Sequence, residues 1–225
     1  MRIFDTIHPI MGVGNSYLIL REAECVLIDS GYSRGAKKII NAVKSFASDK
    51  PLATIIVTHA HLDHIRGLET LSILFGAEVI VHKDEGNFIM KLEKFPRAQG
   101  FLSNIVTKLT GLMSPPPYPI DRIVTNGEVI HGLKIIHVPG HTPGSIALLD
   151  SVTGVLFSGD AITTNKKGSK ILPPHRAFCI DIEEARKSAL QLVKDTQPSA
   201  ILPGHGKPIL DPEEHMLAYK TKFGG

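Results

Sequence analysis

The feature that most constrains this chain is a cluster of metal-binding side chains directly after a short apolar run. Residues 58–64 read Thr-His-Ala-His-Leu-Asp-His, so three imidazoles and one carboxylate fall within six positions. The preceding run, 53–57, is rich in β-branched residues, which is typical of a buried strand. In an extended segment, His59 and His61 project to the same side, so both can bind one ion at about 2.0–2.1 Å. Asp63 and His64 then point elsewhere, which favours a second ion with ligands of its own.

Three more candidate ligands each follow an apolar strand and lie among glycines or prolines. They are His141, Asp160 and His205, in the segments 139–144, 157–160 and 203–206. Glycine and proline let the backbone turn sharply, so each side chain is presented at the edge of a sheet. The sequence therefore predicts that ligands far apart in the chain converge on one metal site.

The hydrophobic pattern predicts helices that alternate with strands, together with a run of antiparallel hairpins. We predict strands at 17–20, 25–28, 53–57, 78–82, 128–130, 134–138, 146–149, 155–157 and 200–202. We predict helices over 36–46, 68–75 and 181–194 and from 212 onwards, with Asp181 and Glu184 in the pattern of a capping box. Residues 84–119 are predicted to be a helical insertion in a single domain that spans 1–225. Sheets covered by helices follow, in the α/β or α+β class.

Charge and hydropathy limit the kinds of partner and the cellular compartment that we expect for this chain. The net charge is +3 and the Lys and Arg residues are scattered, which argues against a nucleic-acid partner. The longest apolar stretches are far shorter than the ~20 residues that cross a bilayer, so no membrane span is expected. The first eleven residues lack the apolar run of a secretory signal, and the two cysteines form no CxxC pair. We expect a cytoplasmic protein with a small-molecule substrate, and a homodimer stays open.

The order of the candidate ligands, His-x-His-x-Asp-His followed by His, Asp and His, resembles the metallo-β-lactamase superfamily, and in particular its dinuclear, glyoxalase II-like hydrolases. The segment 27–31, Leu-Ile-Asp-Ser-Gly, is similar to an early element of the same family. The resemblance covers nearly the whole chain and implies an α+β fold, a four-layer αββα sandwich. It also implies roles for eight residues: His59, His61 and His141 at one metal, Asp63, His64 and His205 at the other, Asp160 as the bridge, and Asp29 as a support of the metal loop.

The same resemblance implies a metal-dependent hydrolase with two divalent ions, zinc in the first place and iron or manganese as alternatives. A hydroxide that bridges the two ions would cleave a small, anionic thioester, ester or lactone, and Asp63 would accept or return a proton. Two dications, two aspartates and one hydroxide leave a charge of about +1, which favours an anionic substrate.

Several classes within this family remain open. Asp160 argues against a true β-lactamase, because those enzymes lack a carboxylate at that position. Thr163 stands where lactonases of similar pattern carry a tyrosine, which weakens that assignment. A mononuclear iron persulfide dioxygenase would use His59, His141 and Asp160, and a phosphodiesterase or nuclease of the same fold is a further alternative. A non-catalytic binding protein would be expected to have lost ligands, and all seven are present.

Three residues are candidates for substrate contact. His175 lies in a Pro-rich loop downstream of Asp160, and Lys166 could attract a carboxylate or phosphate of the substrate. Tyr118 belongs to the predicted insertion, which we expect to act as a lid or substrate wall, with a packed subdomain or a dimer contact as the alternative.

Overall fold

The computed structural model describes residues 3–93 and 117–224, which form two compact units. The described part of the first unit is 3–93 with 117–124, and that of the second is 125–224. The predicted helical insertion falls mostly on residues 94–116, which lie outside the described residues. Its start is a helix, Lys83–Ile89. The single-domain prediction stays a prediction.

The first unit is built on a six-stranded sheet in the order β1-β2-β3-β4-β5-β6. Its strands are β1 (Ile7–Ile10), β2 (Ser16–Leu20), β3 (Cys25–Ile28), β4 (Leu52–Ile56), β5 (Glu78–His82) and β6 (Arg122–Val124), and its helices are α1 (Ile3–Thr6), α2 (Ser33–Phe46), α3 (Leu62–Ile65), α4 (Leu68–Phe75) and α5 (Lys83–Ile89). The first three strands pair antiparallel, whereas β3, β4, β5 and β6 pair parallel.

The parallel pairing fixes where the polar segments of the first unit meet. Because β3, β4 and β5 run in the same direction, the residues that follow them emerge at one edge of the sheet. Asp29 follows β3, the segment 58–64 follows β4, and α5 follows β5. All four residues of β3 are buried, as expected for a strand with both faces covered. At this edge the histidine-rich loop after β4 therefore lies between the segments that follow β3 and β5.

The second unit carries a five-stranded sheet in the order β13-β10-β9-β8-β7 and a two-stranded sheet of β11 and β12. Its strands are β7 (Val129–Ile130), β8 (Leu133–His137), β9 (Ile146–Asp150), β10 (Val155–Gly159), β11 (Thr163–Thr164), β12 (Ile171–Leu172) and β13 (Ala200–Pro203), and its helices are α6 (Ile182–Asp195) and α7 (Glu213–Phe223). Because β10 and β13 pair parallel, Asp160 and His205 leave the sheet at the same edge. Among the described helices of both units, none is long and apolar enough to cross a membrane.

Helix α6 begins at the predicted cap, but the capping box is one-sided. The carboxylate of Asp181 accepts the N–H groups of Glu183 and Glu184, both at 3.0 Å. A capping box would have the N–H of Asp181 donate to the side chain of Glu184. In the structure this N–H donates instead to the carbonyl oxygen of Gly140, at 2.9 Å. The start of α6 is thereby joined to the loop that carries His141.

Candidate metal centre

The loop between β4 and α3 brings four of the candidate ligands together in the first unit. His59 and His64 are buried, while His61 and Asp63 are partly exposed. The ring centroid of His59 lies 4.8 Å from that of His61 and 4.2 Å from that of His64. Asp63 Oδ2 lies 3.8 Å from His64 Nε2. Three imidazoles and a carboxylate thus lie close together in this loop.

Asp29 binds this loop from the end of β3 and determines which ring nitrogens carry protons. Its Oδ1 accepts the N–H of Thr58 at 2.8 Å, and its Oδ2 accepts the Thr58 hydroxyl at 2.8 Å. The same Oδ2 lies 2.7 Å from His64 Nδ1. Since an ionised carboxylate only accepts, His64 Nδ1 must carry the proton, which leaves a lone pair on Nε2 of the neutral ring.

The same reasoning extends through Thr58 to His59. The single hydroxyl proton of Thr58 is donated to Asp29, so its oxygen accepts from His59 Nδ1, which lies 3.0 Å away. In neutral His59, Nε2 is then also left with a lone pair. One buried carboxylate therefore prepares two imidazoles for metal binding, which fits the supporting role that the resemblance implies for Asp29.

Gly14 allows the loop between β1 and β2 to approach the same ligands. A Cβ at this position would lie 2.5 Å from the carbonyl oxygen of Asp63 and 3.1 Å from His64 Nε2. Only glycine leaves room for this close approach. The sequence reasoning missed Gly14, because a glycine in a loop gives no signal about which other loop it will contact.

The second unit brings the remaining three candidate ligands together around one oxygen atom. Asp160 Oδ2 lies 3.4 Å from His141 Nε2 and 3.3 Å from His205 Nε2. A tetrahedral ion with ligands at 2.0–2.1 Å separates its ligand atoms by about 3.3–3.4 Å. The donor set of two imidazoles and a carboxylate therefore fits a divalent ion in chemistry and in spacing. His141 is buried and the His205 side chain is 36% exposed, so solvent reaches this group from the His205 side.

Cys179 contacts His141 on the side of the ring away from Asp160. Its Sγ lies 3.6 Å from His141 Nδ1. Burial raises the pKa of this thiol to about 12, and the Asp160 and Asp181 carboxylates add to the shift against the opposing effect of Arg186. Cys179 is therefore a neutral thiol packed against a candidate ligand. Sequence spacing did not point to it, because it lies 38 residues from His141.

The three candidate substrate residues are distributed differently. Lys166 is exposed in the turn between β11 and β12. The N–H of Thr164, in β11, donates to the carbonyl oxygen of His205 at 3.1 Å. His175 is exposed, and its Nδ1 accepts the N–H of Ala177 at 3.2 Å, so one ring nitrogen caps a 3-10 turn. Tyr118 is half-buried in the first unit. The segment of Lys166 is thus hydrogen-bonded to His205, and the segment that follows His175 is hydrogen-bonded to His141 through the N–H of Ile180 at 3.1 Å.

The α+β fold, with histidine and aspartate donors at the ends of strands, is that of a metal-binding protein. A model of the Metallo-beta-lactamase superfamily matches residues 10–205, and the chain belongs to that superfamily. The predicted family and fold class are thus confirmed. Within the family the chain is 33% identical over 219 residues to the probable metallo-hydrolase YflN of Bacillus subtilis, covering 88% of this chain and 82% of YflN.

Two other relatives have names that specify a substrate. The hydroxyacylglutathione hydrolase GloC of Haemophilus influenzae is 28% identical over 191 residues, with 82% of this chain and 81% of GloC covered. The acyl-coenzyme A thioesterase MBLAC2 of Gallus gallus is 27% identical over 209 residues, with 85% and 72% covered. Together with the metallo-hydrolase name of YflN, these relatives support a hydrolase.

A solved structure supports the fold. The di-iron-bound form of TTHA1623 superposes with a TM-score of 0.70 at 24% sequence identity, covering 96% of this chain and 98% of that protein. At this identity the similarity shows the fold alone. The chain therefore has the metallo-β-lactamase fold.

Proposed function

We propose that this protein is a hydrolase that binds two divalent metal ions and cleaves a small anionic substrate, a thioester, ester or lactone. The observation that carries the proposal is the hydrogen-bond chain from Asp29, which leaves Nε2 of His59 and of His64 with lone pairs. The donor spacing around Asp160 in the second unit is what a divalent ion requires. His59, His61 and His141 would hold one ion, Asp63, His64 and His205 the other, and Asp160 would bridge them.

The ions and the protein would divide the chemistry between them. Bound divalent ions supply a water molecule acidified to a pKa of about 7 and a Lewis acid for the scissile carbonyl. Asp63, whose side chain is 24% exposed, is accessible to solvent and can accept a proton from the attacking water and return it to the leaving group. Asp29 would remain a hydrogen-bond acceptor and would keep His59 and His64 in the tautomer that can bind a metal. No protein nucleophile is needed.

A thioester is the substrate that we favour, because GloC and MBLAC2 are named for glutathione and coenzyme A thioesters. Both kinds of substrate carry negative charge, and Lys166 lies in the hairpin turn that is bonded to His205 through Thr164. We propose that Lys166 attracts the anionic part of such a substrate and that His175 and Tyr118 contact it further out. The scattered distribution of lysine and arginine favours a small molecule over a nucleic acid as the substrate.

Metal analysis combined with a substrate panel tests this function. Purified protein is stripped with a chelator, reloaded with Zn²⁺, Fe²⁺ or Mn²⁺, and assayed with acyl-glutathione and acyl-coenzyme A thioesters, lactones, phosphodiesters and a persulfide. We expect two ions per chain, loss of thioester hydrolysis on stripping and recovery on reloading. Equal rates for the stripped and reloaded protein on its best substrate would show that the mechanism is wrong.

A ligand variant and a matched control sharpen the result. We expect Asp160→Asn to lower kcat/KM by more than the roughly 10–100-fold typical of residues that only support a ligand. Asp150→Asn makes the same chemical change at a fully buried carboxylate, the last residue of β9. Asp150 lies before the start of β10, whereas Asp160 follows its end, and the variant is expected to retain activity. One iron per chain with oxygen uptake on the persulfide would instead identify a dioxygenase, and cleavage of phosphodiesters alone would identify the nuclease alternative.

A further inference from the structure

Helix α5 carries a carboxylate that has no role in the ligand set described so far. Glu85 is fully buried, with 0% of its surface exposed, in the helix that follows β5. Glutamate is almost never fully buried unless its charge is paired or hydrogen-bonded, because removing a carboxylate from water is costly. A fully buried carboxyl group at the ligand-bearing edge of the sheet therefore needs a structural or functional explanation.

Glu85 accepts a hydrogen bond from the backbone between two candidate ligands. Its Oε2 accepts the N–H of Ala60 at 2.7 Å, and Ala60 separates His59 from His61. A bond to this peptide restrains the backbone that joins the two imidazoles, and therefore restrains the direction of each ring. The distance is in the range of charge-assisted hydrogen bonds, which are stronger than neutral ones.

Glu85 and Asp29 hold the loop from two sides. In the sheet, β4 lies between β3 and β5. After β4, the N–H of Thr58 donates to Asp29, which follows β3, and the N–H of Ala60 donates to Glu85, which follows β5. The residues on both sides of His59, Thr58 and Ala60, thus each donate their backbone N–H to a carboxylate that follows one of the two neighbouring strands.

We propose that Glu85 is a positioning residue of the metal centre, which orients His59 and His61 through the Ala60 peptide before an ion binds. The inference rests on the metal-binding part of the proposed function and is independent of the substrate. If the role of Glu85 were only to satisfy a buried N–H group, its loss would reduce stability without a specific effect on metal affinity. A role through charge alone would instead depend on the negative charge and not on the reach of the side chain.

Three substitutions separate these roles. Glu85→Gln keeps an acceptor oxygen at the same reach and removes the charge, Glu85→Asp keeps the charge and shortens the side chain, and Glu85→Ala removes both. The dissociation constant for Zn²⁺ is measured by competition with a chromophoric chelator, and Co²⁺ loading reports ligand geometry through its visible absorption bands. Thermal unfolding of the metal-free variants measures stability separately. Asp150→Asn is the control for altering a fully buried carboxylate that accepts a backbone N–H.

Positioning predicts a specific order of effects. We expect Glu85→Asp and Glu85→Ala to weaken Zn²⁺ binding by about 10–100-fold and to shift the Co²⁺ bands, as is typical for residues that orient a ligand. Glu85→Gln should stay within about fivefold of the wild type, since it loses only the difference between a charged and a neutral hydrogen bond. Asp150→Asn should lower the unfolding temperature and leave Zn²⁺ affinity unchanged.

The contrary results are equally definite. Unchanged Zn²⁺ affinity in Glu85→Asp, or in Glu85→Ala if it folds, would show that the residue only stabilises the fold. A larger loss in Glu85→Gln than in Glu85→Asp would show that charge and not position matters, and would also overturn the inference. If Zn²⁺ affinities of the wild type and the variants follow the expected order but the wild type hydrolyses no substrate, the proposed function fails. The positioning role of Glu85 is then still supported. A wild type that binds no metal would overturn both.

Discussion

The substitution Asp29→Asn isolates the carboxylate that determines the protonation of two candidate ligands. Asp29 adopts a left-handed backbone conformation with φ of 58°, which asparagine tolerates better than most residues, so the backbone should be retained. The side chain also keeps its size. What changes is that one of the two oxygens becomes an NH2 group, which donates hydrogen bonds instead of accepting them.

The structure gives the expected size of the effect. If the NH2 group replaces Oδ1, it faces the N–H of Thr58; if it replaces Oδ2, it faces the Thr58 hydroxyl and His64 Nδ1. In the second case it can bond to His64 only when the proton moves to Nε2, which then cannot bind a metal. Either way at least one hydrogen bond to a charged group is lost, about 1.5–3 kcal/mol, which corresponds to a loss of about 10–140-fold in metal affinity.

Chelator competition with Zn²⁺ measures the affinity, and ¹⁵N NMR of the imidazoles reports the tautomer. We expect the Asn variant to show the affinity loss and an altered nitrogen pattern for His64. Asp150→Asn serves again as the control, because that carboxylate also accepts an N–H, from Val152 at 3.1 Å, and a hydroxyl, from Thr153 at 2.7 Å. Zn²⁺ affinity within threefold of the wild type, with unchanged imidazole signals, would refute the assignment of tautomers to Asp29.

Two further predictions concern positions that the sequence did not single out. Gly14→Ala places a methyl group 2.5 Å from the Asp63 carbonyl oxygen and 3.1 Å from His64 Nε2. We therefore expect a loss of stability of about 1–3 kcal/mol in thermal unfolding, together with weaker Zn²⁺ binding. Wild-type values for both would contradict the close approach. Cys25 and Cys179 are both fully buried, and burial raises the pKa of each thiol. Iodoacetamide at pH 8 should therefore label neither thiol in the folded protein and both in denaturant. If intact-mass analysis detected a labelled thiol in the folded protein, the packing would be looser than described.

Most of the regular elements could be predicted because their apolar residues follow one clear period. The hairpin of β2 and β3, helices α2 and α4, strand β5 and the start of α6 agree with the pattern within one to three residues. Strand β1 was missed because Pro9 interrupts it, and the structure accommodates the proline at the edge of the sheet. Strands β6, β11 and β12 were also missed; they have two or three residues each.

For the candidate site, the donors could be predicted from the sequence and the residues that orient them mostly could not. His59, His61, Asp63 and His64 are adjacent in the chain, so their spacing itself predicts a common site. Asp29 was assigned only through the resemblance to a family. The bonds of Glu85 and Cys179 reach across 25 and 38 residues, and nothing in local composition indicates such partners. These contacts arise from the order of strands in each sheet, which pattern reading does not provide.

The hydrogen bonds at the start of α6 have a consequence for the dynamics of the loop that carries His141. The N–H groups of Ile180 and Asp181 donate to the carbonyl oxygens of His141 and Gly140, at 3.1 and 2.9 Å. Connecting loops ordinarily open with little cost, whereas residues within a regular element exchange their amides slowly. Here the two donors directly precede a 14-residue helix, and Asp181 is its N-cap, so we expect opening of the loop to disturb the start of the helix as well. We therefore expect the backbone around His141 to exchange its amide protons more slowly than an ordinary connecting loop does.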